Sequence, residues 1–379
     1  MKLIYIANAR IPTEKAHGIQ IMKMCEAFAL CDNADVTLIV PRRFNSIKED
    51  PFDYYGVSKN FQIKKLPCLD LIIFDKYIGY LGIWIESLSF NFFSFFNLLF
   101  KKADIFYTRD KFFLPFCLFK RNLVFEAHTF PRNYFLYILF IKRLRKIVVI
   151  TQSLKQLFIK KSVNSEKILV ASDGVDLDKF NIEKDQKECR EKLNLPLDRK
   201  IVLYAGHLYK WKGVQCLAEA SQNFSEDVKF YFVGGTVEDI KKFRVKNLKL
   251  RIKLIGHRPQ AEMPYWLKAA DVLVLPNTAK TDISRYWTSP MKMFEYMASN
   301  RPIVASDLPS IREILNKDNA VLVEPDNPAA LAEGLRKALQ NPEFSAKISN
   351  QAFQDVKEYT WQRRVKNILN FIKLNPYGN

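Results

Sequence analysis

The chain reads as an α/β protein built from two doubly wound, Rossmann-like domains. Two observations predict this. Strand, glycine-containing loop, helix and strand follow one another over residues 3–40, and the same order starts again at residue 201, which is how a doubly wound domain opens. In the second half, successive apolar runs stop at Gly206, Gly234, Gly256 and Pro276. Four strand ends therefore line one edge of a sheet, the edge at which α/β domains hold ligands.

The bulk properties agree with two domains. A chain of 379 residues, 48% hydrophobic and 26% charged, has material for two or three cores and is too apolar to be disordered. Its net charge of +19 implies anionic company: nucleotides, nucleic acid or a phospholipid surface. The basic excess is spread over both halves and forms no stripe or known module, so nucleic acid is not expected as a partner. Cys25, Cys31, Cys68, Cys117, Cys189 and Cys216 are scattered without a C-x-x-C pair or a Cys/His cluster. That spacing predicts no zinc, and free thiols fit a reducing cytoplasm. The start of the chain reads as a strand and not as a signal peptide. The apolar run 81–100 contains Glu86, Asn91, Asn97 and three serines, which predicts a buried helix and not a spanning one.

In the first half, residues 3–7 are a buried strand and the loop 8–17 leads into Gly18. Ile21, Met24, Cys25, Phe28 and Ala29 recur at helical spacing within residues 19–30, and 36–40 is the next strand. No G-x-G-x-x-G occurs, so this is not a dinucleotide fingerprint. Gly18 stands open to two readings, close approach of backbone to a phosphate or a simple helix entry. Residues 61–66, 105–107, 123–125, 147–150 and 168–171 are further strands, with a helix over 133–144, while 69–80 is ambiguous. The strand 123–125 runs into Glu126-Ala127-His128-Thr129, polar residues at a strand's carboxyl end. His128 there touches a ligand or is merely held by its loop.

The turn Asp173-Gly174-Val175-Asp176 and the charged segment 178–200 separate the halves. Domains are therefore expected at 1–180 and 181–359. In the second, 201–205, 228–233, 250–255, 272–275, 303–305 and 321–323 are strands. Helices are expected from Val214, over 261–270, 328–339 and 343–358, and finally over 361–373.

Residues 288–298 carry the most chemistry. Ser289 is the expected N-cap and Pro290 the expected first helical residue. The open N–H groups and partial positive charge of such a helix start suit a phosphate. Glu295, about one and a half turns on, is an acceptor for the two hydroxyls of a ribose. Together they describe a nucleotide diphosphate held end-on, although Ser-Pro also begins helices that bind nothing.

These residues resemble the GT-B glycosyltransferases of the large retaining group known as glycosyltransferase family 4, over nearly the whole chain. Gly206-His207 and Lys212-Gly213 match the family's glycine–basic–Lys-Gly loop, and residues 289–298 with 301–307 match its donor-binding helix and following strand. Residues 12–18 match its first glycine loop, Asp173-Gly174-Val175-Asp176 with Phe180 its Asn-Gly-Val-Asp turn, and residues 361–373 its last helix. Two positions depart from the pattern. Trp287 stands where the first glutamate of Glu-x7-Glu would fall, and His207 stands where the family has arginine.

The resemblance implies two domains facing across a cleft, with a C-terminal helix, about 360–379, crossing back to the first. It implies transfer of a sugar from a nucleotide-diphosphate sugar to a glycan or lipid-linked acceptor, with retention and without a metal or cofactor, in polysaccharide or glycolipid biosynthesis. Lys212, His207, Gly206 and the tip at Ser289, Pro290 and Met291 are assigned to the diphosphate, with Gly18 closing from the first domain. Glu295 is assigned to the ribose, His257 and Arg258 to the base, and His128 to the sugar and acceptor as the catalytic residue. A sugar-nucleotide epimerase and a non-catalytic nucleotide-sugar-binding protein on the same fold are the alternatives. The phenylalanines at 92, 93, 95, 96 and 100 with Lys101 and Lys102 allow a second expectation, a cytoplasmic enzyme lying on an anionic membrane surface.

Overall fold

The computed structural model describes residues 1–374 apart from 75, 76, 78, 132, 248 and 249; residues 375–379 of the expected crossing helix lie outside them. The chain forms two compact units, Met1–Ser172 with Trp361–Asn379, and Asp173–Thr360. Residues 173–180, placed with the first domain by sequence, go with the second because Val175 and Phe180 are buried in its core.

In the first unit β1 (Lys2–Ile6), β2 (Asp35–Pro41), β3 (Gln62–Leu66), β4 (Ile105–Thr108), β5 (Leu123–Ala127), β6 (Lys146–Val149) and β7 (Ile168–Val170) make one sheet. Their order is β3-β2-β1-β4-β5-β6-β7, and every pairing is parallel. The order reverses between β1 and β4, which opens a crevice at their carboxyl ends. Strands β4, β5 and β6 are buried throughout, which is why they read as unbroken apolar runs and do not alternate.

The helix Ala16–Leu30 begins three residues earlier than expected, so Gly18 falls in its first turn. A Cβ at Gly18 would lie 2.2 Å from the Tyr55 hydroxyl and 2.7 Å from Thr13 Cγ2. Packing alone therefore requires glycine at this position.

The helix Leu81–Leu99 is not the buried helix that its composition predicts. It turns its polar residues inward: Glu86, Ser87, Asn91 and Ser94 are buried. Asn8 donates to Glu86 at 3.1 Å and to Ser87 at 3.0 Å, and Asn91 donates to Asp110 at 2.9 Å. Trp84, Leu88, Phe92, Phe93 and Phe96 are left exposed, as is Phe100 just beyond. Hydrogen bonding decides which face goes in, because a buried amide or carboxyl without a partner costs more than an exposed ring.

The helix Trp361–Lys373 packs on Ala16–Leu30 and buries Val365, Ile368, Leu369 and Ile372 at helical spacing. It also carries Arg364 into the interior. That guanidinium donates to Glu126 at 2.9 Å, to the Ser172 carbonyl at 2.9 Å and to the Ala171 carbonyl at 3.1 Å.

In the second unit β8 (Lys200–Ala205), β9 (Val228–Val233), β10 (Ile252–Gly256), β11 (Val272–Leu275), β12 (Ile303–Ser306) and β13 (Val321–Val323) lie in the order β10-β9-β8-β11-β12-β13, all parallel. Successive residues of β8 serve opposite cores. Ile201, Leu203 and Ala205 pack with Met293, Phe294 and Met297, while Val202 and Tyr204 pack with Val214, Leu217, Leu331 and Leu335. Helices thus cover both faces, as double winding requires. The segment read as a linker contains the helix Gln186–Lys192, closed by a capping box between Asp185 and Glu188. Its Arg190 donates to Asp271 at 2.6 Å and to the Ala269 carbonyl at 2.9 Å.

Replacing Arg364 leaves the Glu126 carboxylate buried without its cation, which typically costs about 3–5 kcal/mol. Arg364→Met is therefore expected to lower the first unit's unfolding transition in scanning calorimetry by that amount, and Arg364→Met with Glu126→Gln to recover part of it. A loss below about 1 kcal/mol would show that the pair does not hold the helix.

Candidate functional site

The turn after β8 is set by two glycines. Gly206 has φ +131° and Gly213 φ +68°, values that L side chains rarely adopt. Gly213 also has no room for a side chain, since a Cβ would lie 1.7 Å from the Pro276 carbonyl oxygen. The loop is thereby pressed against the end of β11, at the point where the strand order reverses. A single tight turn, Lys210–Lys212, closes it, and Tyr204 donates its hydroxyl to the His207 carbonyl at 2.7 Å. Lys212 is half-buried, with its Nζ 3.8 Å from the centre of the Trp211 ring. Burial pushes its pKa down to about 7. The His207 ring lies 3.5 Å from the Asp239 carboxylate and stacks on Tyr209 with centroids 4.9 Å apart.

The helix Met291–Ala298 meets the same place. Ser289 is not its N-cap, and Pro290 is not its first residue. Pro290 is the N-cap, and the Ser289 hydroxyl instead accepts the Asp173 N–H at 3.0 Å. Proline offers no side-chain acceptor, so the first N–H groups of this helix are not capped by the residue before it. Tyr296 ties the helix to β8, because its hydroxyl accepts the Ala205 N–H at 2.7 Å.

Lys292, which the sequence reading did not single out, runs back along this tie. Its Nζ is buried with no hydrogen-bond partner among the described residues. It lies 3.7 Å from the centre of the Tyr204 ring and 3.6 Å from where a Gly206 Cβ would stand. Burial, and then the charge of Lys212, hold its pKa well below the usual lysine value, against the pull of Glu295.

Glu295 is half-buried, and burial raises its pKa to about 7. Gln260 donates to it at 3.3 Å, and Lys292 and Lys179 act in the opposite sense to burial. Gln260 belongs to the loop after β10 that also exposes His257 and Arg258. Trp287 follows the helix Asp282–Tyr286, and its indole accepts no hydrogen bond.

Gly206, His207, Lys212, His257, Arg258, Ser289, Pro290, Met291 and Glu295 all belong to the second unit; Gly18 and His128 belong to the first. In the first unit His128 follows β5 directly, with Nε2 2.7 Å from Glu126 Oε1. Glu126 is fully buried and also accepts from Gln20 at 2.8 Å, from Tyr107 and from Arg364. Burial works to raise its pKa, but the Arg364 guanidinium and the His128 hydrogen bond hold it well below the usual carboxylate range. An ionised Glu126 only accepts, so Nε2 of His128 carries a proton and donates to it. Nearby His17 is pushed down to about 3 by burial and by Arg109, Lys15 and His128. It is therefore neutral at physiological pH. Among the described residues no group of three or more His, Cys, Asp or Glu side chains is placed to hold a metal ion.

Residues 199–341 match the family described as Glycosyl transferases group 1. The chain is 26% identical over 184 residues to the putative teichuronic acid biosynthesis glycosyltransferase TuaC of Bacillus subtilis, covering 48% of this chain and 44% of that one. It is 27% identical over 210 residues to D-inositol 3-phosphate glycosyltransferase of Xylanimonas cellulosilytica, covering 52% and 48%. The chain spans about half the length of the curated relatives it matches. Anabaena Alr3699/HepE, solved with UDP-glucose, has a TM-score of 0.73 at 17% identity over 98% of this chain and 99% of that one. WaaG, a glycosyltransferase involved in lipopolysaccharide biosynthesis, has a TM-score of 0.71 at 14% identity over 98% and 100%. The fold is GT-B, with two Rossmann-like parallel-sheet units.

The depressed pKa of Lys212 makes a prediction for the unliganded protein. Between about pH 7, its folded value, and about 10.4, its unfolded value, the unfolded chain binds more protons. Stability from this residue therefore rises with pH across that window, and the penalty is complete at pH values below it. Lys212→Met is expected to raise the melting temperature of the second unit near neutral pH by about 2–4 °C, the shift that roughly 1 kcal/mol produces, and to flatten the rise toward pH 10. A lower melting temperature would contradict the assigned burial cost.

Proposed function

We propose that this chain, whose residues 199–341 match the glycosyl transferases group 1, moves a sugar from a nucleotide-diphosphate sugar to a glycan or lipid-linked acceptor. Retention at the anomeric carbon and independence of a metal ion are part of the proposal. One observation carries it: an uncapped helix start, the half-buried Lys212 and the Glu295 carboxyl meet at the switch point of the second sheet. The relatives named as glycosyltransferases and the UDP-glucose bound by HepE support it, and they make uridine the first base to try.

The diphosphate is assigned to Lys212, the Gly206 backbone and the N–H groups that begin the Met291–Ala298 helix. Negative charge develops on this group as the glycosidic bond breaks. Fixed donors and cations that need no rearrangement stabilise that charge, and one such group typically contributes about 3–4 kcal/mol. Glu295 accepts from the ribose hydroxyls, and the loop carrying His257 and Arg258 faces the base. His128, held by Glu126, contacts the sugar and the acceptor. His207 is already engaged with Asp239 and Tyr209, so its part in the diphosphate site falls to its backbone. With Trp287 in place of a glutamate, the sugar hydroxyls are met by the backbone N–H groups of Ser289 and Met291. An epimerase would release no free nucleoside diphosphate in the presence of an acceptor, and a non-catalytic binding protein would turn over no donor.

The acceptor is proposed to be met at a membrane surface. The outward aromatic face of Leu81–Leu99 continues through Trp84 onto Phe112 at 5.2 Å and through Phe95 onto Phe119 at 4.9 Å. Lys102, Lys111 and Arg121 lie in and beside these segments. Rings for the acyl boundary and cations for anionic headgroups are what a peripheral protein presents. Among the described residues no helix is long and apolar enough to cross a membrane.

Glu295→Ala is expected to lower kcat/KM for the donor by about 100-fold or more, since a site built around hydroxyl groups fails without its acceptor, while the melting temperature stays unchanged or rises. Full activity would remove the ribose assignment. The unaltered protein should sediment with anionic liposomes at low salt, and Phe92→Ser with Phe96→Ser should reduce the bound fraction severalfold. No binding to such liposomes would remove the membrane assignment and leave the transferase reading untouched.

A further inference from the structure

Lys292 has no structural reason to be a lysine. Its stem packs against β8, a task that methionine performs equally well. Its ammonium group carries three donors, yet it is buried with no hydrogen-bond partner among the described residues. A buried cation left in this condition is costly unless something pairs with it. The Tyr204 ring face, 3.7 Å away, compensates only in part.

The charged and titratable groups around it do not neutralise the place. Lys212, on the turn after β8, repels it, and Glu295, on its own helix, attracts it but is itself raised to about 7 by burial. Tyr204 on β8 and Tyr296 on the helix are uncharged phenols whose ionisation burial suppresses. Two lysines and the start of a helix whose capping residue has no acceptor thus lie together, with one carboxyl of raised pKa beside them. A multiply charged oxyanion satisfies the lysines and the helix start, while the carboxyl is left to the ribose hydroxyls.

We propose that Lys292 binds the same diphosphate as Lys212, its ammonium group and the open start of its own helix gripping one phosphate together. This rests on the transferase reading of the second unit and adds to it a second cation. Both lysines are held low in the folded protein and return toward their ordinary values beside an anion, so diphosphate binding near pH 8 takes up protons and Lys292 contributes to that uptake.

The test is calorimetric titration near pH 8, in two buffers of different ionisation enthalpy, with UDP, GDP, ADP, their nucleosides and inorganic pyrophosphate. The unaltered protein is expected to take up protons as it binds the nucleoside diphosphate. Lys292→Met is expected to weaken that ligand and pyrophosphate by about tenfold or more, to leave the nucleoside within about twofold, and to lower the uptake. Lys292→Arg should retain part of the pyrophosphate affinity. Pyrophosphate binding unchanged in Lys292→Met, or a nucleoside weakened as much as its diphosphate, overturns the inference alone. An unaltered protein that binds none of the three diphosphates overturns the transferase reading and this inference with it. Should Lys292→Met fail to fold, Lys292→Arg decides: a guanidinium does not titrate near pH 8, so a proton uptake unchanged in that variant is contrary.

Discussion

A carbonyl oxygen, that of Pro276, occupies the space where residue 213 would carry a side chain. That close approach fixes the path of the turn after β8 and sets Lys212 at the end of β11. The hydrogen bond from Ala205 to the Tyr296 hydroxyl fixes the second element, drawing the Met291–Ala298 helix to the end of β8. Two segments some eighty residues apart are thus brought to one place by a close backbone approach and a side-chain hydrogen bond. Pre-organisation of this kind lets donors act without rearranging as charge develops.

The place where these two segments come together is locally unfavourable, because burial disfavours the charged form of each ionisable group there. Lys212 and Lys292 are held below their ordinary pKa, Glu295 is held above its own, and the helix start has a proline where a capping side chain would be. A protein optimised only for folding would carry none of these. Local rules are broken at functional sites and compensated elsewhere, and here the two cores packed on either face of the second sheet supply the compensation. The first unit shows the opposite case. Glu126 is as deeply buried as any residue, yet Gln20, Tyr107, His128 and Arg364 all satisfy it. One carboxylate both anchors the last helix and accepts from His128.

The strands were legible because parallel strands covered on both faces are apolar at every position, and each boundary fell within two residues of the expected one. What escaped depended on partners distant in sequence. Ser289 looked like a cap, but its hydroxyl receives the N–H of Asp173, more than a hundred residues away. The helix Gln186–Lys192 looked like a linker because its charges are many, while its burial turns on Arg190 reaching Asp271 and Ala269. A lysine between methionines reads in sequence as a solvated helix face, and only the fold shows that the end of Lys292 is buried. Composition alone predicts a buried Leu81–Leu99 helix, and the hydrogen bonds from Asn8 and to Asp110 that turn its polar residues inward join residues distant in sequence.

The diphosphate proposed to lie at the junction of the β8 turn and the Met291–Ala298 helix can be looked for in a crystal structure of the protein soaked with UDP, GDP or ADP in the presence of a chelator. Phosphate oxygens are expected within hydrogen-bonding distance of Lys212 Nζ and the N–H groups at 291–292, with the ribose hydroxyls on Glu295. A nucleotide bound with its phosphates turned away from Lys212, or density that forms only when a divalent metal is restored, would contradict the proposal.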